Sequence, residues 1–460
     1  INTGLTAVAD IYTGLTTALH SFDQNNETPS PGQLSPRVSY KAIDIVSSGG
    51  ALCARNINSD DVGAIQAARP ETKASPGPGH PRRPLLRLLH VHFASLDDDD
   101  EEEEEEERLP PLRQLTDAPF TLGPTISDYD TRRAKWLRDH PAFPATVAPG
   151  RPRVLMVTGS SPRRCEGSAG DHLLLRAFKN KADYCRVHGL EVFYSTAFLD
   201  AEMSGFWTKL PLLRTLMLAH PEAELLWWVD SDAVLTDMLF ELPWHKYAPY
   251  NLVLPGWGPT VFEERNWVGI NTGSFLIRNC QWSLDLFDAW APMGPRGPVR
   301  DRYGQLFARE LSGRLPFEAD DQSALVYLLL TQRGRWGHKT FLESEYTLHG
   351  YWVQIVDRYE EMRRRWAPGF GDYRWPLVTH FVGCKPCGGR HAGYKACRRG
   401  MERALNFADD QILKMYGFEH ESFNTTVVRR VRNDTGGPLD ADDEELARLL
   451  HPTFRATKSE

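Results

Sequence analysis

The sequence lacks a long hydrophobic run. No segment reaches the roughly 18 consecutive apolar residues of a membrane span, because the nearest candidate, residues 85–96, is short and contains Arg87 and two histidines. The chain also lacks a starting methionine, since it opens at Ile1. We therefore expect a truncated N-terminus.

A strong net charge is absent from most of the chain. The formal net charge is −8, but residues 97–107 are eleven consecutive acids, and without them the charge is +3. A nearly neutral body does not create the positive electrostatic potential that attracts nucleic acid, so we exclude a nucleic-acid-binding protein. Like charges in a block repel one another and stay hydrated, so we interpret the acidic run as a linker.

Cysteines are few, and they do not form the two pairs of a structural zinc site. Among the seven, Cys384 and Cys387 have the spacing of a metal knuckle, with His391 and Cys397 close behind. A zinc site needs a second pair at similar spacing, which the sequence does not contain. We expect disulfides among Cys165, Cys384, Cys387 and Cys397, as in a protein of the secretory pathway, with the pairing left open.

Composition divides the chain into four parts. Residues 1–115 are rich in Ser, Thr, Pro, Gly and Asp and include the acidic run, which predicts a disordered stem. Residues 116–150 are a lead-in with one short helix near 130–140. The main domain spans residues 151–423, and residues 424–460 form a tail. No internal repeat is visible.

Strands and helices alternate from residue 151 onward. Residues 153–158 form a buried strand, a helix follows with Asp171 as its N-cap and ends at Gly189, and residues 191–195 form the next strand. This is a βαβ unit. The apolar face of its helix is predicted to contain Leu174, Phe178, Ala182 and Cys185.

A second helix is expected at residues 205–219, followed by a strand at 225–229 that is buried on both faces. The fold class is therefore α/β, and ligands of such sheets bind at the carboxyl ends of the strands. Further strands are expected at 251–254, 272–278 and 377–382, and a further helix at 322–332.

Asp230, Ser231 and Asp232 follow the strand at 225–229 directly. Two carboxylates separated by one residue at a strand end can turn toward one Mg²⁺ or Mn²⁺ ion, which would bridge a diphosphate and neutralise a leaving group. The alternative is structural, with either aspartate capping the next helix. The tripeptide alone leaves both interpretations open.

Asp320, Asp321 and Gln322 form a second candidate at a predicted helix start. Two acids and an amide can bind sugar hydroxyls and stabilise an oxocarbenium-like centre, or they can simply cap the helix. The same tripeptide recurs at residues 409–411. The motif by itself therefore does not identify a site.

His380, Gly383 and Lys385 form a third candidate, near the end of the predicted strand at 377–382. They can supply a third metal ligand, a close backbone approach and a cation for phosphate. A core histidine is the alternative.

Aromatic residues near these motifs are candidates for stacking on sugar rings: Trp257, Trp267, Tyr351, Trp352, Trp366 and Trp375.

Much of the chain resembles the plant family-34 glycosyltransferases, especially the xyloglucan 6-xylosyltransferases. The resemblance runs from about residue 121 to residue 451. It rests on VTGS at 157–160, GDH at 170–172, KNK at 179–181, DYC at 183–185, FWTKLP at 206–211, WWVDSDAVLTD at 227–237, LFDAWAPMG at 286–294 and HFVGCKPC at 380–387.

The resemblance implies a GT-A fold, in which a Rossmann-like nucleotide-binding half joins an acceptor-binding half. It implies transfer of α-xylose from UDP-xylose to O6 of glucose in a β-1,4-glucan, with retention of configuration and Mn²⁺ as the cofactor. It also implies a type II Golgi membrane protein, with an anchor in the full-length chain, that forms homo- or hetero-oligomers with related transferases. Three sequons agree with lumenal exposure: Asn26, Asn424 and Asn433.

The resemblance also implies roles for individual residues. The metal ligands are Asp230, Asp232 and His380. The donor-binding residues are Gly159, Ser160, Asp183, Ser231, Gly383 and Lys385. The acceptor-binding residues are Lys209, Asn271, His349 and Gly350. The residues of the reaction centre are Asp320, Asp321 and Gln322.

Two other functions agree with the same residues. A galactomannan 6-galactosyltransferase would use UDP-galactose on a mannan backbone, and one or two pocket side chains could separate the two donors. A non-catalytic partner subunit would retain the fold without the chemistry. Asp230, Asp232 and His380 are all present, which favours an enzyme.

Overall fold

The computed structural model describes residues 112–165, 168–197, 199–387 and 394–431. The acidic run, nearly all of the predicted stem, and the part of the predicted tail after residue 431 lie outside the described residues. So do the sequons at Asn26 and Asn433. The described residues belong to one unit of the chain.

Strands and helices alternate through the described residues. The strands are β1 (Thr146–Ala148), β2 (Arg151–Pro152), β3 (Val154–Gly159), β4 (Glu191–Ser195), β5 (Leu225–Val229), β6 (Ala233–Leu235), β7 (Leu252–Pro255), β8 (Ser274–Arg278), β9 (Thr340–Glu343), β10 (Val378–His380), β11 (Phe418–His420) and β12 (Val428–Arg430). The α-helices are α1 (Tyr129–Asp139), α2 (Ser168–His188), α3 (Lys209–Ala219), α4 (Gly258–Phe262), α5 (Gln281–Trp290), α6 (Pro298–Glu310), α7 (Asp321–Thr331), α8 (Arg333–Trp336), α9 (Trp352–Ile355), α10 (Tyr359–Arg365) and α11 (Tyr394–Met415). Single 3₁₀ turns lie at Ala201–Met203, Gly205–Thr208, Trp244–Tyr247, Trp267–Gly269, Ala291–Met293, Gly337–Lys339 and Val356–Arg358.

The central sheet has six strands in the order β4-β3-β5-β8-β7-β9. Strand β8 is antiparallel to both of its neighbours, and the other five strands run in one direction. Hydrophobic cores cover both faces, because neighbouring residues of β5 such as Trp227 and Trp228 belong to different core clusters. The predicted α/β fold of the GT-A type is confirmed in its mixed sheet and in the two covered faces of β5.

Most predicted elements lie within two residues of their observed positions. The strands predicted at 191–195 and 225–229 have these bounds in the structure. The helix predicted at 205–219 begins with a 3₁₀ turn at Gly205–Thr208 and continues as α3. The strand predicted at 377–382 is shorter, since β10 ends at His380.

The helix of the βαβ unit differs from the prediction in two ways. Helix α2 includes Ser168, so Asp171 lies in its first turn and is not its N-cap. The side-chain carboxylate of Asp171 accepts a hydrogen bond from the backbone amide of Cys165. The buried face passes through Leu173, Ala177 and Tyr184 and also includes polar residues. Of the four residues predicted on the apolar face, Cys185 is buried, and the other three are only partly buried.

A second, two-stranded sheet lies beside the end of β5. Strands β6 and β10 pair antiparallel, with His380 opposite Ala233. This register brings the end of β10 next to Asp232, which directly precedes β6. Two parts of the chain that are about 150 residues apart in sequence therefore meet at the carboxyl end of β5.

The lead-in packs against the main domain. Phe120 and Tyr129 are buried, and the Tyr129 hydroxyl lies 2.8 Å from the Asn279 side-chain oxygen and 2.5 Å from the Met217 carbonyl. Among the described residues, no helix has both the length and the apolar character of a membrane span.

Candidate functional site

A cavity of about 330 Å³ opens at the carboxyl ends of the central strands. The predicted site residues that line it are Lys209, Asp230, Asp232, Asn271, Asp320, Asp321, Gln322, His380 and Gly383. They come from separate parts of the sequence, so the fold gathers candidates that were identified individually. Phe206, Trp267, Thr272, Gly273, Phe317, Glu318 and Val382 complete the lining.

Asp230, Asp232 and His380 meet at one wall of this cavity. The His380 Nε2 atom lies 3.2 Å from Asp232 Oδ1 and 3.6 Å from Asp230 Oδ2, and one ligand atom from each residue lies within 4.8 Å of the others. Neighbouring ligands of an octahedral ion with bonds of about 2.1 Å are about 3 Å apart. The three side chains therefore fit a divalent metal ion.

Neighbouring groups orient the Asp230 carboxylate. The Trp228 indole donates its N–H to Asp230 Oδ1 at 2.6 Å, and Lys209 Nζ lies 3.6 Å from the same oxygen. Asp230 Oδ2 is then the oxygen that faces His380. The Asp230 backbone amide donates to the Gly273 carbonyl at 2.7 Å, which attaches the acid loop to the start of β8.

A second histidine orients the His380 ring. The Nδ1 atoms of His380 and His349 are 2.9 Å apart, and one ring must donate the proton that the other accepts. If His380 Nε2 serves as a metal ligand, its Nδ1 is the donor and His349 the acceptor. Burial, together with His380, holds the pKa of His349 well below its ordinary value. His349 is thus a neutral ring that can accept this bond.

Gly273 fits where no larger residue would. A Cβ atom at this position would lie 2.1 Å from His380 Cε1 and 2.8 Å from Asp230 Oδ2. Both atoms belong to the candidate ligands, so the cluster can form only if position 273 has no side chain. Sequence reasoning did not select Gly273, because the crowding comes from tertiary contacts.

Asp320 and Asp321 have different partners. Asp320 is the N-cap of α7, where its carboxylate accepts from the Ser323 amide, and it pairs with Arg314 at 3.0 Å. The capping interpretation is therefore correct for Asp320. Asp321 lies in the first helical turn, and its Oδ2 is 2.9 Å from Lys209 Nζ. The two adjacent acids thus each have a separate buried cation.

Lys209 lies between the metal-site acid and the acid of α7. Its Nζ donates to the Thr272 carbonyl at 3.0 Å and lies close to both Asp321 and Asp230. Burial alone would lower the pKa of Lys209, but the two carboxylates outweigh this effect and raise it. Burial raises the pKa of the Asp321 carboxyl, and Lys209 offsets part of that rise.

A chain of amide hydrogen bonds connects α7 to the start of β8. The Gln322 Nε2 donates to the Trp267 carbonyl at 3.0 Å, and its Oε1 accepts from Asn271 Nδ2 at 3.1 Å. The Asn271 Oδ1 in turn accepts from the Gly273 amide at 2.8 Å. Both ends of the Gln322 amide are therefore fixed, and its position is tied to the residue beside the metal cluster.

Several other predicted residues do not line the cavity. Gly159 ends β3, and Ser160 bonds the Tyr194 hydroxyl through its Oγ at 2.7 Å. Ser231 stands between the two acids, and Gly350 adjoins β10 closely enough that a Cβ would lie 2.6 Å from the Val378 carbonyl.

Asp183 is not brought to this cavity. It lies on α2 and pairs with Lys179 and Arg186. Lys179 also pairs with Asp409 of α11, so this charged group joins two helices. The geometry gives Asp183 a helix-packing contact, and its predicted donor-binding role has no support from its position.

The loop at residues 381–387 is held by two disulfides. Cys165 pairs with Cys387, and Cys384 pairs with Cys397. These bonds involve the four cysteines that were expected to pair. The loop contains Gly383 and Lys385 directly after His380, so its covalent attachment holds a candidate phosphate-binding segment beside the metal cluster.

The second Asp-Asp-Gln has a structural role. Asp409 pairs with Lys179, and Asp410 accepts from the backbone amide of His420. Gln411 bonds the Met238 amide and the Thr236 carbonyl. All three side chains anchor α11, so tertiary position distinguishes two identical tripeptides.

Comparison with known proteins gives the family. The family-34 glycosyltransferase model, described as the galactosyl transferase GMA12/MNN10 family, matches residues 150–391. This chain belongs to glycosyltransferase family 34. The match covers every residue of the metal cluster and of the Asp-Asp-Gln turn on α7, and the predicted family is confirmed.

Relatives in plants are similar over most of the chain. Probable glycosyltransferase 5 of Oryza sativa subsp. indica is 74% identical over 353 residues, which are 76% of this chain and 78% of that protein. Xyloglucan 6-xylosyltransferase 1 of Arabidopsis thaliana is 60% identical over 348 residues, 75% of each chain. The chain is accordingly a glycosyltransferase.

Solved structures are more distant. A glycosyltransferase involved in the glycosylation of the major capsid of PBCV-1 covers 55% of this chain and 99% of its own, with 14% identity and a TM-score of 0.35.

Proposed function

We propose that this chain transfers α-xylose from UDP-xylose to O6 of a glucose residue in a β-1,4-glucan, with retention of configuration. One observation carries the proposal: the Asp-Asp-His cluster and the Asp-Asp-Gln turn face a single cavity. Relatives that are named xyloglucan 6-xylosyltransferase and are about 60% identical support this choice of donor and acceptor.

Asp230, Asp232 and His380 would hold Mn²⁺, with Mg²⁺ as an alternative. A bound ion would neutralise the diphosphate as the leaving group gains charge. Gly383 and Lys385 would bind the same diphosphate from the loop at 381–387, where Gly383 has φ +83° and permits close backbone approach. Gly159, Ser160 and Ser231 would bind the nucleotide.

The reaction centre would be formed by Asp320, Asp321 and Gln322. The acceptor O6 attacks C1 from the face that UDP leaves, so the C1–O bond to UDP breaks while the C1–O6 bond forms. The proton of O6 passes to a β-phosphate oxygen of the departing UDP. Gln322, fixed at both ends of its amide, would stabilise the positive charge at C1 electrostatically. Full turnover by Gln322→Ala would contradict this role.

The acceptor would lie over the α7 side of the cavity, between Asn271 and the exposed Glu318. Aromatic side chains line this side, because Phe206, Trp267 and Phe317 all border the cavity. Apolar sugar faces stack on aromatic rings, which supports a glucan chain in this part of the cleft.

UDP-galactose is the second candidate donor, because the matching family model is described as a galactosyl transferase family. The deciding assay offers UDP-xylose or UDP-galactose with cellohexaose or mannohexaose, each with and without Mn²⁺. We expect xylosyl transfer to cellohexaose only, and only with the metal. Transfer to mannohexaose alone would support the galactosyltransferase, and binding of UDP without any transfer would support a non-catalytic subunit.

The proposed location is the Golgi lumen. Disulfides persist in the secretory pathway, and the described residues contain two. Association with related transferases remains a prediction, and so does the anchor of a type II membrane protein.

A further inference from the structure

We infer that Lys209 is a positioning residue that joins Asp230 of the metal cluster to Asp321 of the reaction centre, and that it does not bind the acceptor sugar. The inference rests on the proposed function only for the roles of those two acids. It reassigns a residue that family resemblance places among the acceptor contacts.

The first argument is the set of oxygen atoms around the ammonium. A lysine ammonium has three hydrogens and no acceptor. Three oxygens surround Lys209 Nζ: the Thr272 carbonyl at 3.0 Å, Asp321 Oδ2 at 2.9 Å and Asp230 Oδ1 at 3.6 Å. The Thr272 carbonyl accepts a hydrogen bond from the ammonium, and the two carboxylates form ion pairs with it. Protein oxygens therefore surround the ammonium, and a sugar hydroxyl would have to compete with them.

The second argument is burial. The side chains of Lys209 and Asp321 are 5% and 4% exposed, whereas that of Asp230 is 28% exposed. A buried carboxylate without a counter-charge is strongly destabilising. Asp320 cannot share the cation, since it has its own partner in Arg314. Lys209 is thus the cation that supplies a counter-charge to the buried Asp321 carboxyl.

The third argument concerns the metal. The Lys209 ammonium competes with a divalent ion for the negative charge of Asp230, because both are drawn to the same carboxylate. The Trp228 N–H donates to Asp230 Oδ1 at 2.6 Å and can keep Oδ2 facing His380 when Lys209 is removed. Loss of Lys209 should therefore strengthen metal binding while it disturbs the reaction centre. Removal of a lysine that served to bind the acceptor would instead raise the acceptor KM.

The experiment measures three properties of Lys209→Met in the whole chain: Mn²⁺ affinity without nucleotide or sugar, thermal stability without metal, and steady-state kinetics with cellohexaose. We expect Mn²⁺ to bind roughly 3- to 10-fold more tightly and the melting temperature to fall by at least about 5 °C. We expect kcat to fall at least tenfold with little change in the acceptor KM.

Two companion variants separate charge from shape. Lys209→Arg keeps the cation and should recover the wild-type Mn²⁺ affinity and most of the stability. Combining Lys209→Met with Asp321→Asn should restore much of the lost stability, because a neutral Asn needs no counter-charge. Lys246→Met is the matched control, since Lys246 pairs with the buried Glu343 outside the cavity lining. It should lower stability and leave Mn²⁺ affinity unchanged.

Two results would overturn the inference. One is a Lys209→Met variant whose acceptor KM rises while kcat and Mn²⁺ affinity stay at wild-type values. The other is additive destabilisation by Lys209→Met and Asp321→Asn. If the wild-type chain binds no Mn²⁺, the proposed metal site fails, and the stability measurements still decide the role of Lys209.

Discussion

Gly273 has no side chain, yet the geometry of the candidate metal cluster depends on it. Its α-carbon faces the edge of the His380 ring and one Asp230 oxygen, and its backbone bonds both Asn271 and Asp230. Substitution here would act on the ligands and leave the core unchanged.

We predict that Gly273→Ala weakens Mn²⁺ binding at least tenfold, because the new methyl group must displace His380 or Asp230. The measurements are Mn²⁺ titration and far-UV circular dichroism. Gly258→Ala is the matched control, since a Cβ there meets nothing within 4 Å. Wild-type metal affinity in Gly273→Ala would mean that the ligands are not where the structure has them.

Substitution of His349 is a second single-residue test of the metal cluster. His349→Ala removes the acceptor of the His380 ring N–H, and second-shell changes of this kind cost about 10- to 100-fold in metal affinity. His349→Gln can still present an oxygen to that N–H, so it should retain most of the affinity. Equal losses for Ala and Gln would contradict the acceptor role.

The sequence allowed only part of this cluster to be predicted. Asp230 and Asp232 were recognisable because they follow a buried strand directly. His380 was ambiguous, since its pairing with Asp232 depends on the register of β6 and β10. The importance of Gly273 and the multiple contacts of Lys209 follow from tertiary packing, which no local pattern records.

The positions of the helices can be predicted from the sequence more accurately than the faces that they bury. The apolar pattern indicated α2 correctly, but its face was assigned from apolar residues only. In the structure, Asn180 and Lys181 are buried on that helix, with hydrogen bonds to the carbonyls of Leu235 and Ala233. These buried polar residues support β6 and belong to the buried face of α2. A prediction based on hydrophobicity alone cannot include them.

The loop at residues 381–387 is the element whose attachment we expect to matter most. We predict that replacing Cys165 and Cys387 with Ser lowers the free energy of unfolding by about 2–5 kcal/mol and weakens UDP binding. The reason is that the loop with Gly383 and Lys385 loses its connection to the start of α2. Chemical denaturation and UDP titration measure the two effects.

The control for the loop is Cys280→Ser, which changes an unpaired cysteine elsewhere in the chain. It should leave UDP affinity unchanged. If the loop variant binds UDP as tightly as the wild type, then either the second disulfide suffices to hold the loop or the loop does not contact the diphosphate. Replacing Cys384 and Cys397 in addition distinguishes these outcomes.

At the scale of the whole molecule, the lead-in packs against the catalytic part of the chain and is expected to contribute to its stability. Arg113 pairs with Glu202, Arg214 bonds the Pro124 carbonyl, and Tyr129 is buried against α3 and α5. The family match begins at residue 150, so a boundary drawn from the match alone would remove these contacts.

We therefore predict that a chain beginning at residue 112 folds and retains xylosyl transfer, whereas one beginning at residue 150 loses stability. The second truncation exposes the apolar surface that Phe120 and Tyr129 cover. Thermal melts and transfer assays compare the two. Equal melting temperatures would show that the lead-in is dispensable.

The disulfide between Cys165 and Cys387 also determines when the enzyme can be completed during synthesis. Its two cysteines are 222 positions apart, and the histidine of the metal cluster emerges from the ribosome only shortly before the second of them. All six strands of the central sheet are translated before that point. The nascent chain can thus build its scaffold early, while its nucleotide-sugar chemistry must wait until the last part of the domain arrives.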